Sequence, residues 1–161
     1  MPRTITRTGR QRASLAAGAA VVVDLLADPA AVTALLGDLL DQSRSNPGPP
    51  ATWVVPRISL GLASFDTTLV PVFTRDGERV RIDAATTPES DAGARVLMDM
   101  AAESTGPGTC RLHTEWRLTL RVPLPRTALL LAGPALDRTV AGTVQTIMHR
   151  TEAAVLDARR D

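Results

Sequence analysis

Residues 109–125 read TCRLHTEWRLTLRVPLP, and from Cys110 to Leu124 every even position is apolar or Thr. The odd positions are Arg, His, Glu, Arg, Thr, Arg and Pro. Strict period-two alternation predicts a β-strand with one face covered and one face in water. At about three times the usual ~5–6 residues, it is a long one. The same period marks 51–62, 64–74 and 95–103. Pro56 and Pro71 suggest an edge or a bulge, because proline has no N–H to give a ladder. Asp76-Gly77 stands between LVPVFT and RVRIDA, and Asp-Gly between alternating segments predicts a tight hairpin. The segment STGPGT then turns the 95–103 strand, whose Val96, Met98, Met100 and Ala102 share a face, into the long strand.

The chain's two ends follow a helical period instead. After a weakly alternating stretch at 3–14, which predicts an edge strand, residues 16–26 favour a helix. Asp28-Pro29 then breaks it: Asp is a good N-cap, and Pro is tolerated at the first helical position. A second helix is predicted over 29–40, with Val32, Leu35, Leu36, Leu39 and Leu40 as its buried stripe. QSRSNPGPP (42–50) is a loop. Beyond Arg126, the residues Leu136, Val140, Val144, Ile147, Met148, Thr151 and Val155 form another stripe. Gly133-Pro134 interrupts the apolar TALLLAG before it, so the main helix is predicted from Pro134 to about Ala158.

Composition narrows what such a chain does. A chain of 161 residues suffices for one domain with one core. The net charge of +1 gives no bulk attraction for nucleic acid, and all 18 basic residues are Arg, as expected of a GC-rich coding sequence. One cysteine, Cys110, rules out an intramolecular disulfide and suits a reducing cytoplasm, which is the expected location. Arg3, Arg7, Arg10 and Arg12 before ASLAAGAAVVV resemble a secretory leader, but Asp24 closes the apolar run and no clean cleavage site follows. No segment approaches the ~20 apolar residues of an integral membrane span.

The order of strand, two helices, antiparallel hairpins and terminal helix resembles a bacterial branch of the helix-grip superfamily, which includes START, Bet v 1-like and polyketide cyclase-like domains. Three features carry the resemblance: VVVDLLADPAAVTALL with its Asp-Pro break, the hairpin series over 51–124, and the stripe over 136–155. It implies an α+β fold in which six to seven curved antiparallel strands wrap a long C-terminal helix. It also implies a hollow between sheet and helix that takes lipids, polyketides, sterols or other hydrophobic molecules.

Candidate chemistry is sparse. Cys110 and His113 are three apart and point to opposite strand faces, so they do not chelate one metal ion. His149 and Glu152 lie one helical turn apart and leave a metal short of ligands. Arg111, His113, Glu115, Arg117 and Arg121 share a face that is expected to be solvated, with opposite charges paired along it. No nucleophile motif and no Gly-rich phosphate loop occurs, and no cofactor is expected. The even face of the long strand offers Leu112, Thr114, Trp116 and Leu118. With Trp53, Phe73, Met98, Met100, Val144 and Met148 these are the expected ligand-contacting residues, Phe65 being a further candidate. Thr114 is the inward polar group placed to hydrogen-bond a ligand. The leading expectation is a non-catalytic binder or carrier of a hydrophobic small molecule or lipid. The alternatives are a polyketide cyclase or aromatase-type enzyme and an interaction or assembly module using the Arg-rich outer face or an apolar patch around Leu129 to Leu131. Ligand identity and oligomeric state are left open.

Overall fold

A computed structural model describes residues 3–46, 48–59, 64–87, 93–122 and 125–160. The elements are β1 (Arg3–Leu15), α1 (Ala19–Leu26), α2 (Pro29–Leu36) with a 3₁₀ turn (Gly37–Leu39), β2 (Trp53–Ser59), β3 (Ser64–Asp76), β4 (Arg79–Thr86), β5 (Gly93–Gly106), β6 (Thr109–Val122) and α3 (Arg126–Arg160). The six strands form one antiparallel sheet in the order β1-β6-β5-β4-β3-β2. This is the expected helix-grip α+β architecture, with six strands. Pro123 and Leu124, at the end of the predicted long strand, lie outside the described residues.

Both strand prolines sit where a missing N–H is harmless. The β2–β3 register shifts between Val55 and Ile58, so Pro56 lies in an irregularity of an edge strand. β2 pairs with β3 no further than Trp53 opposite Leu69, so Pro71 lies beyond the end of β2's pairing while still facing Ala84 on β4.

The helices depart from expectation in three places. α1 starts at Ala19, because Gly18 is still extended. α2 stops at Leu36: Asp28 caps its start by accepting from the Ala30 N–H (3.0 Å), and Gly37, at φ +52°, ends it, leaving Leu39 in a 3₁₀ turn. The larger correction concerns α3, which begins at Arg126 and carries Pro134 inside it. At 1.5 Å per residue its 35 residues span about 52 Å. Proline cannot donate to the Leu130 carbonyl, but Leu130 is exposed and water can take that acceptor. TALLLAG is therefore helix, not a lead-in.

The core is densest where α1, α2 and the C-terminal half of α3 meet the sheet. Val22, Val23, Val80, Leu112, Cys110 and Val155 are buried there. Arg150 of α3 locks this end. Its Nη1 donates to the Leu36 carbonyl (2.7 Å), an acceptor that the end of α2 leaves unpaired, and its Nη2 donates to Asp38. A Cβ on Gly37 would lie 2.9 Å from Arg150 Nη1, so both the left-handed backbone and the guanidinium require glycine there.

Candidate functional site

Register defines the concave face. Opposite residues of an antiparallel pair share a face. Leu112, Thr114, Trp116, Leu118 and Leu120 therefore lie beside Ala13, Gln11, Gly9, Arg7 and Ile5 of β1. On the other side they lie beside Ala102, Met100, Met98, Val96 and Ala94 of β5.

Burial along these rows is uneven. On β6, Cys110, Leu112 and Thr114 are closed off, Trp116 and Leu118 are half-buried, and Leu120 and Val122 are closed off again. β5 repeats the pattern, with Met100 and Ala102 sealed, Val96 and Met98 half-buried, and Ala94 sealed. The half-buried residues thus form one patch, Val96, Met98, Trp116 and Leu118, between two tightly packed rows. A fully packed interior would close the middle first, because it lies farthest from the rim. Val140, Ile147 and Met148 of α3 are half-buried as well, while Val144 is buried.

A groove of about 390 Å³ opens between the edge of β1 and the first turns of α3, lined by Arg3 to Arg7, Arg126 and Leu130. Arg7, on the concave face, crosses to α3, where its Nε lies 2.6 Å from Asp137 Oδ1 and its guanidinium lies against Gly133. A second hollow of about 380 Å³ is lined mainly from the convex face, by Thr8, Arg10, Leu97, Asp99, Glu115 and Arg117, and also by Gly9 and Trp116.

The expected ligand-contacting residues fall into groups. Met98, Trp116 and Leu118 belong to the loose patch, with Met148 half-buried on the helix side. Met100, Leu112, Thr114 and Val144 are buried beside it. Trp53 is held elsewhere: its Nε1 donates to Thr33 Oγ1 (2.9 Å), which donates to the Pro29 carbonyl (2.7 Å), and its ring meets Phe73 edge-on at 5.9 Å. That arrangement ties β2 to α2. The side chains of Phe65, Leu129 and Leu136 lie outside the described residues.

The convex face carries the charges. His113 Nε2 lies 3.1 Å from Glu103 Oε2, and Glu115 pairs with Arg10 at 3.3 Å. Arg95 and Asp83 share two hydrogen bonds, which hold the Asp83 carboxyl below its usual range. Both histidines lie off the concave face, His149 being exposed on α3, and no cluster of three metal-ligating side chains occurs among the described residues. Burial, with the Glu78 charge second, pushes the Cys110 thiol's pKa up and leaves it unreactive.

Sequence reading alone missed Gln11, Arg7 and Gly9. The indole of Trp116 lies over Gly9, with Cε2 and Nε1 2.5 and 2.8 Å from where a Cβ would stand. Any larger residue would expel the ring. An isolated Gly inside a strand pattern was the available signal.

Three solved structures share this architecture. Norcoclaurine synthase from Thalictrum flavum, a point mutant in complex with a transition-state analogue, superposes with TM-score 0.65 over 98% of both chains at 14% identity. A START superfamily protein from Mycobacterium smegmatis gives TM-score 0.61 at 14% identity, over 94% of this chain and 98% of that one. A protein from Thermus thermophilus gives 0.64 at 17% identity, over 94% and 99%. The fold is the helix-grip fold of START and Bet v 1-like proteins. No protein-family model matches the sequence, and no curated protein does. No single helix among the described residues of this helix-grip chain is long and apolar enough to cross a membrane.

Proposed function

We propose that this helix-grip protein binds and carries a hydrophobic small molecule or lipid between sheet and α3, without catalysing a reaction on it. The observation that carries this reading is the half-buried apolar patch Val96, Met98, Trp116 and Leu118, bounded on both sides by sealed rows. Apolar side chains left partly uncovered inside a fold gain roughly 25 cal/mol per Å² when a ligand covers them. Entry runs through the groove beside Leu130, and Met98, Met100 and Met148 adapt to the occupant. The cyclase reading has less support among the described residues: the histidines lie off the concave face, and the carboxylate nearest it, Asp137, is paired with Arg7.

Native mass spectrometry of the purified chain, with solvent extraction, tests this. The expected result is an amphiphile bound near one per chain, lost in Val96→Phe while the melting temperature holds. A ligand-free mass, with Val96→Phe destabilised by overpacking, would mean a filled interior and would overturn the reading.

A second reading, self-association, is favoured by the exposure of Leu130 (70%) and Leu131 (83%) on α3. Light scattering of the protein and of Leu130→Asp separates it: monomers in both cases exclude an apolar contact there.

A further inference from the structure

Two polar atoms beside the loose patch are buried without any hydrogen-bond partner, Thr114 Oγ1 and Trp116 Nε1. Such orphans are rare, because a buried donor or acceptor left without a partner has lost its water and gained nothing in return. Their places in the sheet put them together. Thr114 and Trp116 are two apart on β6, about 7 Å along one face. Gln11 is opposite Thr114, and Gly9 is opposite Trp116. Because the indole lies over Gly9, its Nε1 stands above β1, on the strand face that Gln11 and Arg7 share on either side of Gly9. Gln11 is itself half-buried, between exposed Arg10 and Arg12, and no hydrogen bond joins it to the described residues. On the other side, Met100 is opposite Thr114 and Met98 is opposite Trp116. Two buried orphans and one solvent-reaching amide thus share one corner of the concave face, flanked by flexible thioethers that yield to a ligand.

We propose that Gln11, Thr114 and Trp116 Nε1 form a polar corner that takes an uncharged oxygen acceptor, a ketone or ester carbonyl or a hydroxyl, on an otherwise apolar ligand. This rests on the binding reading above and narrows its ligand class. The indole N–H only donates, the Thr hydroxyl donates or accepts, and the Gln amide does both. None carries charge, and Arg7, the cation opposite Leu118 on the same face, is neutralised by Asp137. A carboxylate would therefore be desolvated there without a counter-ion. A hydrocarbon would bury the patch and leave both donors unpaired.

The test uses the ¹⁵N-labelled full chain. Trp53→Phe assigns the two indole N–H resonances, and the protein is titrated with 2-decanone, decanoate and decane. The Trp116 indole proton is expected to move downfield, saturably, with 2-decanone only. Thr114→Val is expected to weaken 2-decanone by about five- to tenfold, as loss of one hydrogen bond does, and decane by less than about twofold. Thr114→Ser restores 2-decanone binding, and ligand-free Thr114→Val melts no lower than the parent, since an orphan hydroxyl is lost. Equal binding of decane and 2-decanone overturns the polar corner and leaves the hydrophobic binder standing. Tighter binding of decanoate overturns the uncharged class, and a bridging water retained beside bound 2-decanone overturns the direct contact. Failure of all three probes to bind overturns both readings.

Discussion

The two halves of α3 are held to the same sheet in different ways. The C-terminal half buries Val144, Thr151 and Val155 and sends Arg150 into the end of α2. The N-terminal half exposes Arg126, Thr127, Leu130, Leu131, Pro134 and Ala135, and its described polar tie to the sheet is the Arg7–Asp137 pair. Burial plus a guanidinium on unpaired helix carbonyls fixes one half, while an exposed ion pair is worth only ~0–1 kcal/mol. The weakly held half is the one that borders the groove. Under the proposed function, a helix anchored at one end and weakly tied at the other is the arrangement that ligand entry between sheet and helix would use.

The largest expected effect contrasts packing at the two places. Leu112 lies in the sealed row, so Leu112→Ala leaves a cavity among fixed neighbours and is expected to cost about 2–5 kcal/mol in denaturant unfolding. Leu118, further along the same face, is half-buried, and Leu118→Ala is expected to cost about 1–2 kcal/mol. Equal losses would show that the middle is packed like the end, and the comparison would break.

Arg150→Ala comes next. Its guanidinium is about a third exposed, so losing the bonds to Leu36, Leu35 and Asp38 is expected to cost about 1–2 kcal/mol, screening included. The pH dependence sharpens this. The hydrogen bond and then the charge of Arg150 hold the Asp38 carboxyl below the usual carboxylate range. A depressed carboxyl stabilises the fold fully above its ordinary value of about 4, and that contribution fades as pH falls further. Asp41, held at about 2 by Ser43 and then Arg44, adds a loss between about pH 4 and 2 that does not involve Arg150. Melting curves from pH 6 to 2 are therefore expected to converge only partly for parent and Arg150→Ala. An unchanged gap between the curves would show that Asp38 gains nothing from Arg150.

Much of the sealed half was legible in the sequence, and less of the yielding half. Alternation in 110–122 names both faces of β6 because each neighbour supplies a regular register. The Asp28-Pro29 break is a local signal, and it holds. β1 reads as a weak strand because its concave positions are Arg7, Gly9 and Gln11, whose fitness depends on residues far along the chain. Asp137 neutralises the first, and the indole of Trp116 fills the second. The start of α3 was misplaced for a similar reason. Gly-Pro reads as a stop, and whether Pro134 is tolerated depends on the exposure of the Leu130 carbonyl's surroundings, a tertiary property. The concave face showed its apolar members, but placing its unpaired polar atoms required the register.

The smallest energetic effect is the most telling one for motion. Asp137→Asn removes the charge that Arg7 meets at 2.6 Å while keeping the size of the side chain, and both partners are substantially exposed. Global stability is expected to fall by less than about 1 kcal/mol. Amide exchange should respond locally, because a helix half secured by little else opens without the rest unfolding. Amides of 126–140 are expected to exchange several-fold faster in Asp137→Asn, while those of 144–155 stay within about twofold, since their opening must break the buried contacts of Val144, Thr151 and Val155. Adding about 0.5 M salt to the parent should reproduce part of the change, as an exposed pair is screened over about a Debye length. Uniform acceleration along all of α3 would mean that the helix moves as one body, and the division into an anchored and a yielding half would fail.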